Sequence, residues 1–352
     1  MDSRKSTPRE LGYRMPAEWE AHRATWLAWP HNPETWPDPF QLALVKEIWV
    51  QMARALSPAE QVCLLVNRER AEAEVTGGLR SAGANMERVS IHRIPTVDVW
   101  IRDYGPTFLT RRKTEPLAFV DWIFNAWGRK YPDYVRDDGV NRTLAKLIGA
   151  AVFEPGVVLE GGSIDVNGLG TCLTTEQCLL NPNRNPHLSR SQIEHVLENF
   201  LNVRQFIWLG RGIEGDDTDG HVDDVARFVN ATTIVCCLED DATDENYAAL
   251  WENFERLEAA TDQNGKRIAV VPLPMPGRVV VEGSRMPASY ANFYIANGLV
   301  LVPTYGHPND DRALGILAEL FPDRKIVGIP CTALVPGFGA IHCVTQQEPL
   351  PP

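Results

Sequence analysis

The sequence lacks most of the features that mark nucleic-acid, nucleotide and membrane proteins. Its 34 Lys and Arg are outnumbered by 46 Asp and Glu, a net charge of −12, which argues against a nucleic-acid partner because such a partner needs a basic face. No stretch approaches the roughly 18 consecutive apolar residues of a membrane span. The Met1–Ser6 segment is polar, so we expect no signal peptide and a cytoplasmic protein. There is no Gly-x-Ser-x-Gly elbow, no Gly-x-x-x-x-Gly-Lys-Ser/Thr loop and no Gly-x-Gly-x-x-Gly fingerprint, which removes the commonest serine-hydrolase, phosphate-loop and dinucleotide readings. The seven cysteines are an odd number with no Cys-x-x-Cys pair. Six of them read as small buried hydrophobes in a reducing compartment, with neither a disulfide framework nor a cysteine-built zinc site. We therefore expect no cofactor, no resident metal and no membrane association, with a homo-oligomer compatible.

Low-complexity segments and long linkers are also missing. We expect one domain, residues 1–352, with about residues 1–12 as a flexible N-terminal tail. Helical periodicity runs over Gln41–Leu56, where Val45, Ile48, Trp49, Met52 and Leu56 share a face. Ser189 with Gln192 forms a capping-box signature opening a second helix. Two more helices follow over 246–260 and 310–321. Strand-length apolar runs occur at 89–91, 205–209, 268–271 and 326–329, and hairpins centre on Asn167-Gly168, Asn230-Ala231 and Asn297-Gly298. The recurring unit is strand, motif, hairpin, helix, strand.

Chemistry-bearing residues recur on nearly the same beat. Asp103, Glu160, His221, Glu282 and Cys343 follow one another at steps of 57, 61, 61 and 61 residues, with Asp223 beside His221. A fixed period of this size marks a repeat architecture. Five such units, with the strand at Thr25–Trp29 completing a ring against the C-terminal segment, predict an α/β fold: a five-bladed pseudo-symmetric propeller of strand-hairpin-helix units with the motifs converging on its axis.

Each motif alone has an ordinary explanation. Cys343 can be a structural thiol, His221 a core histidine, Glu160 a turn residue and Asp103 an ion-pair partner of Arg102. A Cys, a His and three acids at equivalent places are what nucleophilic catalysis requires. Carboxylates raise the cost of forming a thiolate, so they help only if the substrate is itself a planar cation. A guanidinium presents a fixed fork of N–H donors that two carboxylates can hold. A metal hydrolase built from Asp216, Asp217, Asp219, His221, Asp223 and Asp224 stays open as an alternative, as does a propeller that binds polyamines without catalysis. Asp216 and Asp219 read as a solvated loop, the tryptophans at 19, 26, 29, 36 and 49 as core and lid packing, and no Arg or Lys is evident near His221 or Cys343.

The motifs Met15-Pro16-Ala17-Glu18-Trp19-Glu20, Trp100-Ile101-Arg102-Asp103-Tyr104-Gly105-Pro106, Glu160-Gly161-Gly162-Ser163, Asp217-Thr218-Asp219-Gly220-His221-Val222-Asp223 and Ile341-His342-Cys343-Val344-Thr345-Gln346-Gln347 resemble, over nearly the whole chain, the agmatine deiminase and bacterial peptidylarginine deiminase family of guanidino-group-modifying enzymes. The resemblance implies the five-bladed (pentein) fold and hydrolytic deimination of a small cationic guanidino substrate, agmatine first and peptidyl or free arginine as the alternative, in putrescine and polyamine biosynthesis. It makes Cys343 the nucleophile, His221 the general acid and base, Asp103 and Asp223 the guanidinium clamps, Glu160 a positioning and proton-handling acid, Trp100 a channel wall and Asp217 an acid near the distal amine. The chain departs from the agmatine deiminase pattern at Tyr104, Asp219, Asp224 and Gly337-Phe338-Gly339-Ala340, beside the pocket, which bears on substrate identity.

Overall fold

The computed structural model describes residues 6–352. Five small sheets share one pattern, in which a short first strand pairs antiparallel with a second that pairs parallel with a third. Their first strands are Thr107–Thr110, Ile164–Val166, Ala226–Asn230, Tyr294–Ala296 and Gln346–Pro349. The last sheet joins the two ends of the chain: Gln346–Pro349 lies antiparallel to His22–Ala28, which continues in parallel to Gln61–Val66 and Val89–Arg93. The structure is thus α/β, made of open three- and four-stranded sheets.

Local chemistry accounts for the elements. The hairpin turns fall at the anticipated Asn167-Gly168, Asn230-Ala231 and Asn297-Gly298. Each parallel crossover carries a helix. Pro39–Leu56 is capped by Asp38 and buries Val45, Ile48, Trp49, Met52 and Leu56, and Arg190–Leu201 has the complete Ser189–Gln192 capping box. Two helices lack a strong sequence signal: Glu69–Ser81 buries only Val75 and Leu79 and contains Gly77-Gly78, and Val140–Ile148 follows an irregular segment. That segment holds four successive left-handed residues, Ala126, Trp127, Gly128 and Arg129 (φ 55°, 53°, 86° and 67°). Left-handed backbone costs a non-glycine residue about 1–2 kcal/mol. Asn125, whose side chain accepts from Gly128 N (2.8 Å) and donates to Asn183 O (2.9 Å), holds the turn.

Two expectations are corrected. Residues 1–5 of the proposed tail lie outside the described residues, but the rest of it, though largely exposed, is held by hydrogen bonds: Arg9 N donates to Asn199 O (3.1 Å), Arg9 pairs with Glu198, and Tyr13 N donates to Pro8 O (2.9 Å). The even beat also fails at its fourth member, Glu282. Asp103 and Glu160 each lie four residues before the first strand of their sheet, at Thr107 and Ile164. The corresponding place in the fourth sheet is Tyr290, because an extra hairpin, Val280–Val281 with Ser284–Arg285, is inserted ahead of Tyr294–Ala296. Glu282 and Gly283, both left-handed (φ 50° and 82°), form that inserted turn. All seven cysteines are free and buried, and among the described residues no helix is long and apolar enough to cross a membrane.

Candidate active site

The short turns that precede the first strands supply the site. Asp103 sits in the single turn Ile101–Tyr104, Glu160 caps Gly161–Ser163, His221 caps Val222–Asp224, and Cys343 stands just before Gln346–Pro349. These turns interlock through backbone. Arg102 N donates to Cys343 O (3.2 Å), and the Arg102 side chain donates to His342 O (3.2 Å) and Gln347 Oε1 (2.8 Å). A Cβ on Gly161 would strike the Arg102 carbonyl, so only glycine lets these turns approach.

The five residues expected to act together do meet. His221 Nδ1 is 3.7 Å from Asp103 Oδ1, and Asp223 Oδ2 is 3.9 Å from Cys343 Sγ. A carboxylate oxygen of Glu160 and a ring nitrogen of His221 lie within 4.8 Å of each other. Gly162 is packed among them: a Cβ there would stand 2.6 Å from His221 Nδ1, 3.0 Å from Asp103 Oδ1 and 3.1 Å from Asp223 Oδ2. Both ring nitrogens of His221, Glu160 Oε2 and Asp223 Oδ1 are buried without a hydrogen-bond partner. Buried polar atoms are normally satisfied, so four orphans at one place mark a site that awaits polar groups.

A cavity of about 540 Å³ opens above this cluster and reaches Asp103 and Cys343. Trp100, Trp127, Tyr131, Tyr134 and Met286 give it apolar walls; Glu34, Asp38, Asp103, Asp217 and Glu282 give it five acids, with no Lys, Arg or His among the described lining residues. Trp100 is thus at the wall, as expected, and packs on Trp36 with ring centroids 6.1 Å apart. Asp217 also lines the cavity, but it is engaged: Tyr131 donates to its Oδ2, and Lys130 Nζ lies 3.4 Å from its Oδ1.

Electrostatics follow from burial among acids. Burial pushes the Cys343 thiol well above its ordinary value, and Asp223, Asp224 and Asp103 push the same way. Burial pushes His221 down to about 3, against the opposing pull of Asp223, and so leaves a neutral imidazole. Asp103 is raised by burial and by Asp223; Glu160 is raised by burial, with Arg184 opposing. Asp223 differs. Burial raises it, yet the hydrogen bond and charge of His342, with His221 and Arg227, together outweigh that and hold it below the usual carboxylate range.

Sequence reasoning gave no role to the residues behind these shifts. His342 bridges Asp223 Oδ2 (2.6 Å) and Glu18 Oε2 (2.8 Å), and Glu18 pairs with Arg227 (2.9 Å) and Arg102 (3.5 Å). Asn292 Nδ2 donates to Cys343 Sγ (3.1 Å) and to Asp224 Oδ1 (3.0 Å). Trp127 Nε1 donates to Asp103 Oδ2 (2.9 Å) from the left-handed turn. Arg184 Nε donates to Glu160 Oε1 (2.8 Å). Glu18 and His342 lie inside quoted motifs, which was a usable signal; Asn292 was hidden by the inserted hairpin.

Three readings of the acidic run change. Asp216 is no solvated acid, since its carboxylate accepts from Thr218 N (2.7 Å), Gly220 N (2.7 Å) and His221 N (3.1 Å) and so shapes the turn that presents His221. Asp219, left-handed at φ 66°, pairs with Arg184 and with Lys130 (2.9 Å). With donors already on Asp216, Asp217 and Asp219, the run does not assemble a metal site; the metal-capable groups among the described residues are Glu160, Cys178, His221 and Asp223, Asp224, Cys343. Basic residues are also present near the site, contrary to expectation, but Arg184 is committed to Glu160 and Asp219, and Lys130 to Asp217 and Asp219.

A buried thiol and imidazole beside the unpartnered carboxylate oxygens of Glu160 and Asp223, on turns that interlock five sheets, define an enzyme acting on the C–N bonds of guanidino groups. The model of the Porphyromonas-type peptidyl-arginine deiminase family matches residues 14–349, and the chain belongs to that family. It is 40% identical over 345 residues to a Legionella pneumophila protein, covering 98% of this chain and 97% of that one, and 40% identical over 374 residues to the agmatine deiminase of Stutzerimonas stutzeri, covering 100% and 99%. The solved agmatine deiminase of Enterococcus faecalis superposes with a TM-score of 0.90 at 36% identity, covering 98% of each chain.

Proposed function

We propose that this chain hydrolyses agmatine to N-carbamoylputrescine and ammonia. The observation that carries the reading is the set of four orphaned polar atoms on Glu160, His221 and Asp223 beside the Cys343 thiol, under a cavity lined by five acids and, among the described residues, no Lys, Arg or His. Asp103, Asp223 and Glu160 take the N–H donors of the guanidinium. Its positive charge lowers the cost of the thiolate that the empty site disfavours. Neutral His221 accepts the thiol proton as Cys343 Sγ bonds to the guanidinium carbon, and returns it to the departing nitrogen, which leaves as ammonia. Water, deprotonated by His221, then adds to the amidino-thioether carbon; the C–S bond breaks and the thiol recovers its proton.

The five acids of the cavity favour a substrate with a second, distal cation, and an L. pneumophila relative and the S. stutzeri and E. faecalis proteins carry the name agmatine deiminase in whole or part. Lys130 beside Asp217 offers a cation to the α-carboxylate of free arginine, and it supports free arginine as the second reading. We also read the five like-patterned sheets as a single pseudo-symmetric five-bladed propeller domain; the pairing of the chain's two ends in one sheet supports this. Mass spectrometry of agmatine, arginine and an arginyl peptide, seeking the roughly 1 Da gain of NH replaced by O, tests the function. No gain on agmatine overturns it.

A further inference from the structure

We propose that Glu160, Cys178 and His221 form a site for an inhibitory zinc ion. Cys178 is off the repeat. It sits in the turn Glu176–Leu179, behind the strand Thr171–Thr175, fully buried, and takes no part in the reaction described above. Yet its Sγ, a carboxylate oxygen of Glu160 and a ring nitrogen of His221 all lie within 4.8 Å of one another. His221 and Glu160 are both wholly buried, and both His221 nitrogens and Glu160 Oε2 lack partners.

The donor set selects the ion. One thiolate, one imidazole and one carboxylate suit zinc, which takes three protein ligands and keeps a fourth position for water; bonds of about 2.0 to 2.3 Å place tetrahedral ligands roughly 3.3 to 3.8 Å apart. Movements of about 1 Å therefore close the site. A thiolate disfavours magnesium and calcium, which prefer all-oxygen sites. Arg184 occupies Glu160 Oε1 and leaves Oε2 free, and Asp219 offsets the Arg184 charge. Burial pushes the Cys178 thiol well up, so the free thiol is protonated; binding breaks the S–H bond, releases the proton to water and forms the zinc–sulfur bond.

Zinc held this way takes the imidazole that the reaction needs, and an ion entering from the cavity side passes the position of the guanidinium. Inhibition is then competitive with substrate, and a chelator reverses it without loss of basal activity. This separates an inhibitory ion from a cofactor.

Cobalt(II) provides a readout independent of turnover. Added to the Cys343→Ser protein, it should produce a near-ultraviolet sulfur-to-cobalt charge-transfer band, and the band should vanish in the Cys343→Ser/Cys178→Ser protein. In the enzyme with Cys343 intact, Cys178→Ser should keep basal turnover and weaken zinc inhibition by about tenfold or more, the least expected for loss of a direct ligand. Cys178→Ala, with circular dichroism on each variant, provides a second substitution if serine perturbs folding. A band that is absent, or that survives loss of Cys178, overturns the proposal. So does zinc sensitivity unchanged by Cys178→Ser, which would move the ion to Asp223, Asp224 and Cys343. The cobalt result stands whichever guanidine is the substrate.

Discussion

Adding a single methyl group at Gly162 should disable the site without unfolding the protein. Gly162 is buried in the turn Gly161–Ser163, and its φ is outside the left-handed range, so alanine is allowed by the backbone. The new Cβ would meet His221 Nδ1 at 2.6 Å, Asp103 Oδ1 at 3.0 Å and Asp223 Oδ2 at 3.1 Å, short of ordinary contact at 3.4 Å by roughly 0.3 to 0.8 Å. Three groups proposed to hold the guanidinium and move its protons are then displaced together. Misplacement approaching 1 Å can cost about a hundredfold, or about 2.7 kcal/mol in the transition state. Overpacking also lowers stability by about 1–3 kcal/mol. Gly315, on the exposed face of the helix Asn309–Leu320 with nothing within 4 Å of its Cβ position, is the control. Gly315→Ala should raise stability by up to about 1 kcal/mol and leave turnover alone. The assay is ammonia release from agmatine for kcat/KM, with thermal melts on both variants. Gly162→Ala retaining kcat/KM within about threefold of the parent, with a native melt, would refute the placement of these groups at the reacting centre.

Cys343→Ser should abolish turnover while agmatine binding, followed by calorimetry, stays largely intact, because Asp103, Asp223 and Glu160 remain; turnover within about tenfold of the parent removes the covalent route. Burial, Asp223, Asp224 and Asp103 all raise the Cys343 thiol, so a small unreactive guanidinium should speed its alkylation by a neutral reagent, and equal or faster alkylation of the empty enzyme counts against substrate-assisted activation. Agmatine should exceed free arginine by about a hundredfold in kcat/KM, about 2.7 kcal/mol. Asp217→Asn should erode that preference mainly by weakening agmatine, since Lys130 is then left with less negative charge around it; steady-state kinetics showing arginine as the better substrate of the parent enzyme would replace agmatine and leave the deimination chemistry standing.

Much of this was legible in the sequence because it depends on local rules. Asn167-Gly168 and Asn297-Gly298 make hairpins wherever they are flanked by strands, Ser189 and Gln192 cap a helix with neighbours three residues apart, and the apolar stripe of Pro39–Leu56 follows the helical period. The repeat also brought out Asp103, Glu160, His221, Asp223 and Cys343, because equivalent turns before equivalent strands place their side chains alike. What the spacing could not show was which residue stands in the fourth unit. An insertion changes the count without changing the sheet, so Glu282 kept the beat while Asn292 reached the thiol. Nor could sequence reveal the long-range polar chain. Glu18 reaches His342 across 324 residues, and Trp127 reaches Asp103 only because four left-handed residues turn its indole inward. Charge state is likewise a tertiary property: Asp103 and Asp223 are the same residue type, both buried, and His342, His221 and Arg227, brought in by the fold, together hold Asp223 below the usual carboxylate range while burial pushes Asp103 toward its neutral form.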